Sequence, residues 1–123
     1  MNLEKENNIA ATTSEVLKHH LNSLGDIVST MADYRSESKF FTPEGVLRGA
    51  EEIRSFFVNM FEEFNKPGTY FEMLRQKVDG ETAYIVWKAE TAVSRYEVGS
   101  DTFIVRNGKI VTQTFAGKIS PKR

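Results

Sequence analysis

The sequence predicts an α+β fold, on three observations. Apolar residues recur at helical spacing in the first half of the chain and at strand spacing in the second, and the period changes at Asn65-Lys66-Pro67-Gly68. Two hairpin dipeptides, Asp79-Gly80 and Asn107-Gly108, divide the second half into long strands. Helices therefore come first and a mostly antiparallel sheet follows, without the strand–helix alternation that builds a parallel α/β sheet.

The elements follow in order. Residues 1–11 are polar and aperiodic, and read as a loose tail ahead of a single domain over 12–123. Thr12-Thr13-Ser14-Glu15 has the form of a capping box, and Val16, Leu17, His20, Leu21 and Leu24 then share one helical face. Gly25 can end this helix and Asp26 can cap a short second one, expected to run to about Tyr34. Ser38–Phe41 is a short strand that turns at Thr42-Pro43-Glu44-Gly45 and pairs back through Val46–Arg48. The third helix, over 50–64, carries Ile53, Phe56, Phe57, Met60, Phe61 and Phe64 at successive intervals of 3, 1, 3, 1 and 3, a complete apolar stripe. Strands are predicted at Tyr70–Val78, Thr82–Val93, Asp101–Arg106 and Lys109–Ser120.

Composition excludes several functions. With 123 residues the chain holds one core comfortably. There is no cysteine, hence no disulfide, thiolate nucleophile or cysteine metal site. The only histidines, His19 and His20, are neighbours on a helix and point about 100° apart, a poor start for a metal centre. A formal net charge of −1 argues against nucleic acid, which needs a basic surface. No apolar run approaches a membrane span, and no basic segment followed by an apolar one opens the chain, so cytoplasmic residence is expected. No P-loop, dinucleotide fingerprint or nucleophile elbow occurs, and no cofactor is expected.

Several fragments form a recognisable series. His19-His20-Leu21, Gly25-Asp26, Ala32-Asp33-Tyr34, Thr42-Pro43-Glu44-Gly45, Arg48-Gly49, Ile53-Arg54-Ser55-Phe56-Phe57, Asp101-Thr102-Phe103 and Asn107-Gly108-Lys109-Ile110-Val111 stand in an order that resembles SnoaL-like proteins. The likeness spans roughly residues 14 to 120 and extends to the nuclear transport factor 2-like superfamily, including its ketosteroid isomerase branch. It implies a cone, in which a curved sheet wraps around helices and encloses an apolar pocket. It does not imply one function, because members range from isomerases, cyclases and dehydratases to binding and assembly domains.

Asp101 shares a strand face with Phe103 and Val105. An acid on an apolar face either lies in a pocket or braces the turn after Gly99-Ser100. The resemblance places it where ketosteroid isomerases keep a protonated acid against the substrate oxyanion. His20 lies in the apolar stripe of the first helix. With a two-residue gap before Gly25 it matches the oxyanion tyrosine of those isomerases, and without the gap Lys18 does. The isomerase base, a carboxylate before the proline of the first strand turn, is here Thr42, so ketosteroid isomerisation by that route is not expected. Tyr34, Phe57, Trp87, Phe103, Gln113 and Phe115 are the expected pocket lining, with Trp87 on the inward face beside Ala83, Ile85 and Ala89.

Three functions remain open: a domain that binds a small apolar or amphipathic molecule, an enzyme using His20 and Asp101 for acid–base chemistry on a lipophilic carbonyl compound, and a homodimeric assembly module. A homodimer through the outer sheet face is expected under all three.

Overall fold

The computed structural model describes residues 11–122. The tail expected over 1–11 lies, except for Ala11, outside the described residues. Helix α1 (Thr13–Asn22) opens with the capping box in full: Glu15 N donates to Thr12 Oγ1 (3.2 Å) and Thr12 N donates to Glu15 Oε1 (2.8 Å). Gly25 takes a positive φ of 94°, the left-handed geometry that turns the chain out of a helix. Asp26 then caps α2 (Ile27–Met31) by accepting from Ser29 N at 3.0 Å. The second helix stops at Met31. Tyr34, expected at its end, instead opens strand β1 (Tyr34–Thr42), which is longer than the four residues anticipated.

The turn after Thr42 leads to β2 (Gly45–Arg48), paired antiparallel with β1, and then to α3 (Gly49–Phe64). Strands β3 (Tyr70–Asp79), β4 (Thr82–Glu90), β5 (Ser94–Arg106) and β6 (Lys109–Pro121) complete the chain. Gly80 alone takes positive φ in its two-residue hairpin, as a type II′ turn requires, whereas Asn107 and Gly108 both do, as type I′ requires. The strand predicted over Thr82–Val93 breaks early. Thr91 Oγ1 accepts from Val93 N (3.2 Å) and Ser94 N (3.0 Å), so a threonine side chain makes this turn without glycine, proline or asparagine.

The six strands lie in the order β2-β1-β6-β5-β4-β3, all antiparallel except β1 against β6. A register shift between Tyr34 and Lys39 is closed by Ser38, whose Oγ accepts from Arg35 N (2.9 Å) and donates to the Ile110 carbonyl (2.6 Å). Further shifts in β3, β4, β5 and β6 bend the sheet around the helices. This is the α+β cone. Its core joins Val16 and Leu17 of α1, Ile53, Phe57 and Phe61 of α3, and the inward residues Phe40, Ala83, Ile85, Trp87, Ala89, Phe103, Val105 and Ile110. Each fully buried Phe or Ile contributes roughly 1.5–3 kcal/mol. Five positions of the helical stripes fall short of full burial: Leu21, Phe56, Met60 and Phe64 are partly buried and pack against the core, and Leu24 is exposed. Among the described residues no helix is long and apolar enough to cross a membrane.

Candidate functional site

The helices do not fill the cone. Between α1, α3 and the inner sheet lies a cavity of about 500 Å³, within the usual range for small-molecule sites. Phe40, Phe56, Phe57, Ile85, Trp87, Phe103 and Phe115 form much of its wall. Burial distinguishes its two ends. Leu24 of the α1–α2 turn, Ile119 of β6 and Glu44 of the β1–β2 turn are exposed at the mouth, whereas His20, Asp101 and Gln113 are 3%, 8% and 2% exposed. The polar side chains at the deep end are the buried ones.

Of the residues predicted from sequence, His20, Asp101, Phe57, Trp87, Phe103, Gln113 and Phe115 border this one cavity. Tyr34 does not. Its strand position turns the ring into the core behind the cavity, where its hydroxyl donates to Gln113 Oε1.

Trp87 and Asp101 form one unit. The register of β4 on β5 sets Trp87 opposite Gly99 and Ile85 opposite Asp101. The indole lies against Gly99, where an added Cβ would come within 2.5 Å of the ring. Phe71 and Phe115 stack on it at centroid distances of 5.4 and 6.0 Å. So held, Trp87 Nε1 donates to Asp101 Oδ1 at 2.8 Å, and Gln113 Nε2 donates to Asp101 Oδ2 at 2.9 Å. Burial pushes the Asp101 carboxyl above its ordinary value; the two donors and the nearby His20 pull the other way without cancelling it. Burial, reinforced by Asp101 and Asp33, pushes the Tyr34 phenol well above the usual tyrosine value. A buried chain thus runs Tyr34–Gln113–Asp101–Trp87 across β1, β6, β5 and β4, with every side-chain oxygen of Asp101 engaged.

His20 enters from α1. The edges and faces of Tyr34, Phe57 and Phe103 surround its ring at centroid distances of 5.9, 5.9 and 5.3 Å. Lys18, the alternative match in the resemblance, is exposed. Thr42, at the isomerase base position, borders the cavity, but its hydroxyl serves the turn, donating to the Gly45 carbonyl (3.0 Å) and accepting from Glu44 N (3.2 Å).

Sequence reasoning missed Asp33, which lies beside both histidines, with Oδ1 2.6 Å from His19 Nδ1 and Oδ2 3.4 Å from His20 Nδ1. It carries no periodic signal, since it sits in the connection between α2 and β1. Near the mouth, Glu63 Oε2 accepts from Thr91 Oγ1 (2.6 Å) and the Tyr96 hydroxyl (3.3 Å), which ties α3 to the β4–β5 end of the sheet. Burial and Glu63 push the Tyr96 phenol up to about 12. Tyr96, also a lining residue, lies outside the strand expected over Asp101–Arg106; β5 begins seven residues earlier, at Ser94, and carries Tyr96 into the sheet.

Comparison with known proteins agrees with this architecture. The model of the SnoaL-like domain matches residues 14–113. No curated protein matches the chain. Among solved structures, SalBIII, an epoxide hydrolase/cyclase-like enzyme described in pyran ring formation in the polyether salinomycin, superposes with a TM-score of 0.75 at 14% identity, over 89% of this chain and 95% of its own. An NTF2-like protein of unknown function from Mesorhizobium loti has a TM-score of 0.70 at 19% identity, covering 86% and 90%. A de novo designed protein with a curved β-sheet scores 0.71 at 14% identity, covering 88% of each chain. At these identities the likeness is one of fold.

Proposed function

Since the chain belongs to the SnoaL-like domain family, within the nuclear transport factor 2-like superfamily, we propose that it binds a small apolar or amphipathic molecule inside the cone. The ligand's carbonyl or hydroxyl end would face His20 and Asp101. The observation that carries this reading is the make-up of the cavity: aromatic walls, with the buried polar side chains His20, Asp101 and Gln113 gathered at its deep end. An apolar body gains from leaving water along the walls, and one polar group fixes its orientation. Ketosteroid isomerisation is not part of the reading, because Thr42 is no base for a carbon acid.

Trp87, the sole tryptophan, reports occupancy directly. Titration with a bicyclic aromatic ketone such as 1-tetralone should quench its fluorescence saturably. Asp101→Ala should weaken binding by about 1–3 kcal/mol, roughly 5- to 150-fold, the scale of a buried hydrogen bond lost. Linear, unsaturable quenching by such ketones in the unaltered protein would refute the proposal.

Self-association is the second part of the reading. On the outer sheet face, Phe41 and Tyr84 are 42% and 41% exposed. They lie in one cross-strand row with Thr114 and Thr102, beside the half-buried Val86 and Ile104. Such a row suits a two-fold contact between copies. Sedimentation should give a dimer at micromolar concentration, and Tyr84→Lys should shift it to monomer; a monomeric unaltered protein would remove this part.

A further inference from the structure

Asp33 is fixed before its side chain does anything. Its N–H donates to the Thr30 carbonyl at 3.1 Å, and its own carbonyl accepts from Ile110 N at 2.7 Å, so α2 and β6 grip the residue from both sides. The carboxylate is 8% exposed and faces α1. There two successive residues meet it from different directions. His19 Nδ1 approaches Oδ1 at 2.6 Å from the protein surface, with a side chain 49% exposed. His20 Nδ1 lies 3.4 Å from Oδ2, with a side chain 4% exposed. The roughly 100° between neighbours on a helix, which disfavours a shared metal, lets one carboxylate sit in the angle between two imidazoles.

The His20 contact is incomplete. At 3.4 Å it falls outside hydrogen-bond geometry, and His20 Nδ1 and Asp33 Oδ2 are both buried with no other partner. Two unpartnered polar atoms facing each other need only a small ring rotation to bond. A carboxylate accepts and cannot donate, so the bond requires the His20 proton on Nδ1. The lone pair is then on Nε2, the ring nitrogen turned away from Asp33, and His20 is a wall residue of the cavity. The titratable groups around His20 are Asp33 from the α2–β1 connection, Asp101 from β5 and Tyr34 from β1, and α3 packs the Phe57 ring against it.

We propose that His20 and Asp33 form an acid–base dyad at the closed end of the cavity, with His20 Nε2 as the base for a carbon acid held in the apolar part. His19 acts as the outer anchor that keeps the Asp33 carboxylate in place. This rests on the ligand-binding reading of the cavity and adds chemistry to it. Nε2 takes the proton from a carbon next to a carbonyl, the C–H electron pair becomes an enolate, and His20 becomes an imidazolium facing Asp33. Return of the proton to another atom of the same molecule closes the cycle with no oxidant or co-reactant. His20 touches the substrate; Asp33 acts through His20 and is a positioning residue.

The substrate being unidentified, the test uses 5-nitrobenzisoxazole, an apolar carbon acid. Removal of its ring C–H proton breaks the N–O bond and leaves the electron pair on oxygen as the coloured 2-cyano-4-nitrophenolate. The unaltered protein should turn it over about 100-fold faster than His20→Gln, the scale of general-base catalysis. Asp33→Asn can present an amide N–H to His20 Nδ1 and so favour the tautomer with the proton on Nε2. It should lower kcat by about tenfold or more and leave KM within about twofold. His19→Gln, which keeps His20 and Asp33, should cost about two- to fivefold. Imidazole ¹⁵N spectra of the unaltered protein give a second measurement, independent of whether the variants fold: His20 should carry its proton on Nδ1. A proton on Nε2, or turnover unchanged in His20→Gln, overturns the dyad. If the probe still quenches Trp87 saturably, the cavity reading stands alone; if it neither quenches nor turns over, both fall.

Discussion

Replacing Gly99 by alanine sets two effects against each other, and the structure decides between them. Gly99 lies inside strand β5 with no positive φ, so strand propensity alone predicts a gain of roughly 0.5–1 kcal/mol from alanine. The new Cβ, however, would stand 2.5 Å from Trp87 Cε2 and Cζ2 and 2.9 Å from Cη2. Carbon atoms settle at about 3.5–4.0 Å, so the ring must retreat by about 1 Å. Phe71 and Phe115 stack on the indole with interplanar angles of 29° and 24° and resist that movement. Overpacking of this kind costs about 1–3 kcal/mol. The displaced Nε1 also abandons Asp101 Oδ1, a buried acceptor whose loss of a donor costs about 1–3 kcal/mol. The net expectation is destabilisation by about 1–5 kcal/mol. Urea unfolding followed by far-ultraviolet circular dichroism measures it, and a changed near-ultraviolet spectrum should mark the moved indole. A variant as stable as the parent, or more so, with an unchanged near-ultraviolet spectrum would refute the reasoning.

Phe57→Ala should cost about 3–5 kcal/mol in the same experiment, because the ring is 2% exposed and packs on His20, Tyr34, Phe40, Phe56 and Phe61; a loss under about 1 kcal/mol would contradict its place in the core. Thr12→Ala removes the side-chain half of the capping box and should cost about 1 kcal/mol, with the effect confined to α1 in hydrogen exchange. The raised Asp101 carboxyl holds its proton more firmly in the folded state than in the unfolded one, so its contribution to stability falls as pH rises from the ordinary aspartate value through its raised one. Comparing urea midpoints of the parent and Asp101→Asn as pH rises from about 4, the ordinary aspartate value, should show the parent losing ground to the variant; parallel curves would count against the shift.

Much of the scaffold was legible because its signals are local. The α3 stripe, the Thr12–Glu15 box and the Asn107-Gly108 turn each depend on a few consecutive residues, and all appear where the spacing put them. Tyr34 was misplaced because nothing in Ala32-Asp33-Tyr34 announces a strand. Pairing of Tyr34 with Ile110, far along the chain, makes it one. The break after Glu90 was hidden for a different reason: Thr91 reads as an ordinary strand former until its hydroxyl is seen holding two backbone N–H groups. His20 and Asp101 could be placed by helical and strand periodicity. Asp33 could not, because a side chain in a short connection has no periodic face.

The parallel pairing of β1 with β6 also governs how the chain reaches this state. Strands β3 to β6 meet through short hairpins and can zip together from local contacts. Strand β1 has only the four-residue β2 beside it until β6 arrives, because Tyr34 pairs with Ile110 and Phe41 with Thr114. More than seventy residues must be closed into a loop before that ladder rewards its own formation. During synthesis the first strand and the helices ahead of it therefore wait for the last strand to emerge, with Phe40 and the α3 stripe still without their sheet. Of the strand pairings, that of β1 with β6 carries the largest loop-closure cost. Substitutions that weaken the β1–β6 seam, such as Ser38→Ala, should slow folding more than they speed unfolding if that seam is formed in the transition state.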